Sequence, residues 1–212
     1  MIQCKFGKQT IFKEKQTKMT ETHEKHSLEN DLIALKKKLR DVVRGLVRAL
    51  SEEERAKSSG SIREHIEKDE AFAKAKKVML FWPLKDEPDL RPLIEKAVLQ
   101  GKRVYLPKIS AGTMCAYRYV DTRGLVRNDL GVMEPTNETE CITPQELDCI
   151  VVPGQAFARD GRRLGRGGGF YDRFLAQTHA SAVTVGVCFS CQLIESIPFA
   201  AHDRAVRTVF SA

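Results

Sequence analysis

From Ser27 to Leu50, apolar residues recur at spacings of three and four: Leu28, Leu32, Leu35, Leu39, Val42, Leu46 and Leu50. This period predicts one long amphipathic helix with that stripe turned inward and Lys36, Lys37, Lys38, Arg40, Arg44 and Arg48 on the opposite face. Ser51-Glu52-Glu53-Glu54 reads as a capping box, in which the Ser51 hydroxyl accepts from the Glu54 amide while that carboxylate reaches back. A second helix follows, with Ile62 and Ile66 inward. VMLFW (78–82), closed by Pro83, is a short apolar run that predicts a buried strand. Leu90, Leu93, Ile94, Ala97 and Val98 return to helical spacing over 89–100, and Gly101 stands where a helix C-terminus takes a left-handed residue. RVYLP (103–107) is the next strand, so these segments form a strand–helix–strand unit, the building block of a parallel sheet.

MCAYRYV (114–120) alternates like a half-exposed strand, and Asn128 to Gly131 reads as a loop or hairpin. CIVVP (149–153) is another buried strand. Beyond a glycine-rich loop, Tyr171–Thr178 reads as helix, AVTVGVCF (182–189) as strand, Gln192–Ser196 as a short helical turn and AVRTVF (205–210) as the closing strand. Internal repeats are absent. The pattern predicts an α/β fold: a single three-layer α/β/α domain over 27–212, with a mainly parallel sheet and an N-terminal helical cover. Residues 1–26 are polar and Lys-rich without sustained periodicity, and read as a disordered arm or as sequence upstream of a start at Met19.

Composition adds little to that outline but narrows the partners. At 212 residues and 42% hydrophobic, the chain is long enough to bury a core, and no apolar run approaches the length of a membrane span. A net charge of +7 raises the question of nucleic acid. The excess, however, lies in residues 1–50, with 12 Lys/Arg against 6 Asp/Glu, while the remainder carries 23 against 22. We therefore expect neither a nucleic-acid nor a membrane partner. Cys4, Cys115, Cys141, Cys149, Cys188 and Cys191 occur without a secretory signal, several within apolar runs, and read as reduced thiols of a cytoplasmic monomer. Cys188-Phe-Ser-Cys191 has metal spacing, yet no second pair or suitably spaced His completes a zinc set.

Chemistry concentrates in GRRLGRGGGFYDRF (161–174), directly after the strand 149–153, where ligands bind in α/β sheets. Glycines let backbone amides approach an anion, and Arg162, Arg163, Arg166 and Arg173 add planar donors that match phosphate oxygens. The helix that follows offers its N-terminus. Asp172, a lone acid beside such a cradle, is what a magnesium ion needs when phosphates and waters complete its shell. Phe170 and Tyr171 supply flat surfaces for a ring. The Walker pattern fails for want of Gly-Lys-Ser/Thr, and G-x-G-x-x-G fails at Phe170. A flexible loop with solvated arginines, or an RNA-binding Arg-Gly segment, are the other readings of these residues; the latter are long and repetitive.

RRLGRGGGFYDRFL (162–175), following DCIVVPGQAF (148–157), resembles the signature of the 5-formyltetrahydrofolate cyclo-ligases, also called methenyltetrahydrofolate synthetases. The resemblance extends from about Leu35 to the C-terminus through LKKKLR (35–40), KDEPDL (85–90), GKRVYLPKI (101–109), GVMEP (131–135), FSCQLI (189–194) and HDRAV (202–206). It implies an ATP- and Mg2+-dependent conversion of 5-formyltetrahydrofolate to 5,10-methenyltetrahydrofolate with release of ADP and phosphate.

By this resemblance, Lys36 and Arg40 match a basic pair that contacts ATP, while Lys37 and Lys38 read as a solvated face. Trp82 and Glu87 match the apolar wall and the acid that contact the pterin. Arg163, Leu164, Gly165, Arg166, Gly167, Gly168, Gly169, Phe170 and Tyr171 match the phosphate loop, of which Gly167 to Phe170 also border the folate. Arg163, Arg166 and Asp172 carry the catalytic assignment, and Asp172 and Asp203 the metal. Two departures stand out: Gly168 occupies a position that is basic in some members, and Phe170 one that is frequently tyrosine. Another nucleotide- or sugar-phosphate-binding enzyme or sensor on a similar fold is the alternative.

Overall fold

The structure is a computed structural model that describes residues 29–128, 131–136 and 138–212. The expected arm at 1–26, Leu28 at the head of the apolar stripe, and Asp129 and Leu130 of the expected loop or hairpin lie outside the described residues. Two compact units are present, one ending at Leu39 and the other running from Arg40 to Ala212.

Helix α1 covers 29–49, as the periodicity predicts, but its buried face differs from the expected one. Within 40–50, Val43 and Val47 are buried, whereas Val42 and Leu46 are exposed. Val43 and Val47, four residues apart, form a second apolar line about one residue around the helix from the Val42–Leu46 line. Periodicity alone could not choose between them. Helix α2 (Glu52–Lys68) opens with the predicted capping box, Ser51 N donating to Glu54 Oε2 at 2.7 Å and Glu54 N to Ser51 Oγ at 3.2 Å. Asp69 ends α2 and caps α3 (Glu70–Lys74) through the Phe72 amide at 2.9 Å. Helix α4 (Arg91–Leu99) starts at Pro92 in its first turn and is followed by Gly101 at φ 81°.

Seven strands form one sheet in the order β12-β10-β7-β1-β2-β3-β6. They are β1 (Lys77–Met79), β2 (Arg103–Ser110), β3 (Thr113–Arg118), β6 (Cys141–Ile142), β7 (Cys149–Pro153), β10 (Val183–Cys188) and β12 (Thr208–Ser211). The five from β12 to β2 are parallel, and β3 and β6 join antiparallel at one edge. β1 is shorter than the apolar run 78–82: its pairing with β2 ends where the Leu80 amide donates to the Tyr105 carbonyl at 3.0 Å. β2 runs on to Ser110 because β3 turns back and pairs with its whole second half.

Alternation along the central strands gives the two layers their cores. Val78, Val104, Cys149, Val151 and Val185 face the side covered by α2, α3 and α4. Met79, Tyr105, Ile150, Val152 and Cys188 face the other side, against Phe157 and against Phe174 and Leu175 of α5 (Phe170–Leu175).

Helix 171–178 ends early, at Leu175, and the closing strand starts late, at Thr208; two further segments differ in kind. The segment beginning at Gly154 is no simple loop: β8 (Ala156–Ala158) and β9 (Arg163–Leu164) form a hairpin, so the arginine-rich stretch starts as strand. Residues 192–196 are not a helical turn; a single 3₁₀ turn at Ser190–Gln192 leads into β11 (Leu193–Ile194), which pairs with β8. Two-residue strands carry too few positions to show a period. The remaining pair, β4 (Leu125–Arg127) and β5 (Met133–Pro135), is the hairpin around Asn128–Gly131.

Candidate functional site

The chain order of the sheet reverses between β1 and β7. From β1 it steps outward through β2, β3 and β6; from β7 it steps the other way through β10 and β12. The C-terminal ends of two such strands diverge and leave a crevice. β1 feeds the segment Leu80–Glu87 into this crevice, and β7 feeds Gly154 and the β8–β9 hairpin.

A cavity of about 180 Å³, partly open to solvent, occupies it. Its wall is mostly apolar, with Trp82, Ile109, Met114 and Phe170 among the lining residues. Of the residues the sequence singles out, Trp82, Glu87, Arg163, Gly165, Arg166, Gly168, Gly169, Phe170 and Tyr171 all border this one space. An apolar wall with a few convergent polar groups is what an aromatic ligand requires.

Arg163 is only 5% exposed, because it sits in β9 opposite Phe157 rather than in a mobile loop. Its Nη2 donates to Asp172 Oδ1 at 2.9 Å, its Nη1 to the Pro153 carbonyl at 3.4 Å, and its guanidinium lies over the Tyr171 ring at 5.6 Å. Among the described residues, neither the buried Nε nor the buried Tyr171 hydroxyl has a partner. Burial pushes the Tyr171 phenol well above its ordinary range, with Glu87 adding to the shift, so the hydroxyl stays a proton donor. Two unpartnered polar atoms at one cavity are costly unless a ligand meets them.

Arg166 lies on two acids. Its Nη2 donates to Asp86 Oδ1 at 2.6 Å and to Glu87 Oε1 at 2.9 Å. Glu87 is 8% exposed, and burial raises its carboxyl above 4.5 despite the opposing pull of Arg166 and of the Leu84 amide on Oε2. Arg166 itself remains a firm cation: the two carboxylates together outweigh its own desolvation.

Around Asp172 a second group gathers. Its Oδ1 also accepts the Arg204 amide at 3.1 Å, which brings the turn of Asp203 beside it. Asp203 is buried and its Oδ2 accepts the Ala200 amide at 2.6 Å. Arg40 Nε donates to the Gly165 carbonyl at 2.8 Å, and burial and Arg44 lower its pKa while Asp203 and Asp41 oppose them. Gly167 lies against the same guanidinium. Gly169 takes φ 65° as it enters α5, the left-handed geometry that turns the loop into the helix. Leu164 is in the core, so only its backbone is available to a ligand. Lys36 lies on α1 in the unit that ends at Leu39.

Among the described residues no three His, Cys, Asp or Glu side chains cluster as a metal site. Asp172 and Asp203 nevertheless fit a magnesium ion, which takes one or two carboxylates and draws its other ligands from phosphates and water. Asp172 Oδ2 has no hydrogen-bond partner among the described residues and is the oxygen such an ion would use.

The sequence missed three contributors. Asp86 was read only as part of KDEPDL, and nothing local announces that it meets Arg166, 80 residues away. Gln155 reaches Asp86 Oδ2 at 3.3 Å. Glu134, buried in the cavity wall beside Ile109, is the acid of GVMEP; an acid inside a short apolar strand was the signal available.

The model of the 5-formyltetrahydrofolate cyclo-ligase family matches residues 32–212. The 5-formyltetrahydrofolate cyclo-ligase of Escherichia coli K12 is 40% identical over 131 residues, covering 59% of this chain and 72% of the relative. That of Mus musculus is 27% identical over 186 residues, covering 82% and 92%. Among solved structures, the NMR structure of Aquifex aeolicus 5,10-methenyltetrahydrofolate synthetase superposes with a TM-score of 0.75 at 38% identity, covering 84% of this chain and 89% of that one. With the match spanning both α1 and the crevice at the β1/β7 reversal, the chain belongs to the 5-formyltetrahydrofolate cyclo-ligase family.

Proposed function

We propose that the protein uses ATP to convert 5-formyltetrahydrofolate to 5,10-methenyltetrahydrofolate, releasing ADP and phosphate. The observation that carries this reading is the single crevice in which an apolar, aromatic-walled cavity meets an arginine- and glycine-lined loop. One side suits a pterin and the other a polyphosphate.

A formamide oxygen is a poor leaving group. Transfer of the γ-phosphoryl group to it makes an iminium phosphate; the neighbouring anilino nitrogen then attacks and gives up its proton to solvent, the ring closes, and phosphate departs with the former formyl oxygen. This chemistry calls for positioning and charge stabilisation rather than a protein nucleophile. Trp82 and Phe170 flank the pterin, and Glu87 accepts its N–H donors. Arg163 and Arg166 neutralise the transferring phosphoryl group, and the backbone from Leu164 to Gly169 cradles the rest of the polyphosphate. Arg40 completes the nucleotide site, and the family resemblance assigns Lys36 to ATP as well. Asp172 and Asp203 would hold the Mg2+, which, when bound, screens the phosphate charge. The unpartnered Arg163 Nε and Tyr171 hydroxyl are donors in search of an acceptor, which phosphoryl and formyl oxygens supply.

The test is the absorbance of the methenyl product when the purified protein is mixed with 5-formyltetrahydrofolate, ATP and magnesium. Product should accumulate with ATP and not without it. If none forms and neither ligand raises Tm, the proposal is wrong.

A further inference from the structure

Arg166 and Glu87 have duties in the proposed reaction that their present contact obstructs. Both oxygens of Glu87 are engaged, Oε2 by the Leu84 amide and Oε1 by Arg166 through Nη2 and, at 3.3 Å, through Nε. The same Nη2 donates to Asp86 Oδ1, and Gln155 steadies Asp86 from its other oxygen. Asp86 therefore fixes the guanidinium from one side while Glu87 receives it on the other. An N–H group serves one strong acceptor well, so Nε and Nη2 are not available to a phosphate at the same time, and Nη1 is the nitrogen that makes none of these bonds. In turn, a buried carboxylate stripped of its cation is costly unless other donors replace it.

The geometry points to Asp86 as a positioning residue that parks Arg166 on Glu87, so that polyphosphate and folate each bind more tightly once the other is present. A polyphosphate draws the guanidinium toward its greater negative charge and releases Glu87. The pterin's N–H donors then take the place Arg166 has left and remove the cost of its departure. Asp86 stays with Gln155 and does not touch either ligand. Because coupling of this kind is reciprocal, folate bound first frees Arg166 for the phosphates. The inference rests on the function proposed above and adds an order-independent interlock to it: each substrate prepares the site for its partner.

Calorimetric titration of the full chain with 5-formyltetrahydrofolate, with and without saturating β,γ-imido-ATP and magnesium, measures the coupling. In the wild type the nucleotide analogue should tighten folate binding about fivefold or more, within the usual range for linked sites. In Asp86→Asn, which keeps the shape and a contact to Gln155 but removes the charge, folate alone should bind more tightly than in the wild type, and the coupling should fall toward unity. A second measurement needs no variant: inorganic tripolyphosphate should tighten folate binding to the wild type, and adenosine should not. Absent coupling in an otherwise active wild type, equal coupling in Asp86→Asn, or an effect of adenosine without one of tripolyphosphate, each overturns the inference alone. A wild type that forms no methenyl product overturns the proposed function, and the inference with it.

Discussion

Arg163 joins the two halves of the site: one nitrogen holds Asp172, another the end of β7, and its Nε has no partner among the described residues. Arg163→Ala should therefore depress turnover about a hundredfold or more, as loss of a charge-stabilising donor does, and Asp172→Asn should do the same. Steady-state rates of methenyl formation check both; near-normal rates would remove the pair from the mechanism. Arg163→Lys should rescue little, because an ammonium lacks the planar fork that spans Asp172 and Pro153. Glu87 makes a prediction about pH. Its carboxyl is raised in the fold by burial, so in the unfolded chain it ionises at lower pH, near 4.5, and the folded state is penalised as pH rises from there through the raised folded value. Glu87→Gln should consequently show a higher Tm than the wild type at pH 7.5, the advantage closing as pH falls toward 4.5, even as folate binding weakens. Thermal melts across that range would show a constant difference if Glu87 did not titrate abnormally. The identities of these residues were legible in the sequence through the glycine–arginine motif and the family resemblance. Asp86 was not, because its significance lies in a contact with Arg166 on a distant segment.

At the scale of elements, α1 is the instructive case. Its helical state was written in the three- and four-residue spacing, but two apolar lines run along it, and only packing chooses Val43 and Val47 over Val42 and Leu46. Val47→Ala should cost about 2 kcal/mol from lost burial and the void it leaves. Val42→Ala should change stability by less than about 0.5 kcal/mol. Denaturant melts of the two variants distinguish the lines, and equal losses would contradict the buried face described. The β8–β9 hairpin shows the opposite limit. Its strands are three and two residues long, so no period could reveal them, yet they turn Arg163 from a solvated loop residue into a buried one. Gly154 permits the fold-back, since a Cβ there would lie 2.6 Å from the Phe157 ring. At Gly168 a Cβ would come within 2.7 Å of the Phe170 ring, so the missing basic side chain and the ring that stands in its space are one local arrangement.

For the whole molecule, the site exists because the strand order reverses between β1 and β7, and this reversal brings Glu87 and Arg166 together across 79 residues of sequence. The family match begins at residue 32, so a chain starting at Ser27 should fold and form the methenyl product at the rate of the full chain. A large loss on that deletion would give residues 1–26 a part in catalysis. None of the described helices is long and apolar enough to cross a membrane. The α/β class, the parallel strand–helix–strand unit, the capping box and the position of the glycine–arginine loop were set by the sequence alone, because each depends on local periodicity, turn chemistry or a contiguous motif. Only the tertiary structure decided which side of α1 is buried, that the loop begins as a hairpin, and that Arg166 rests on Asp86 and Glu87. Those outcomes depend on contacts between segments far apart in the chain, whose energies no local pattern records.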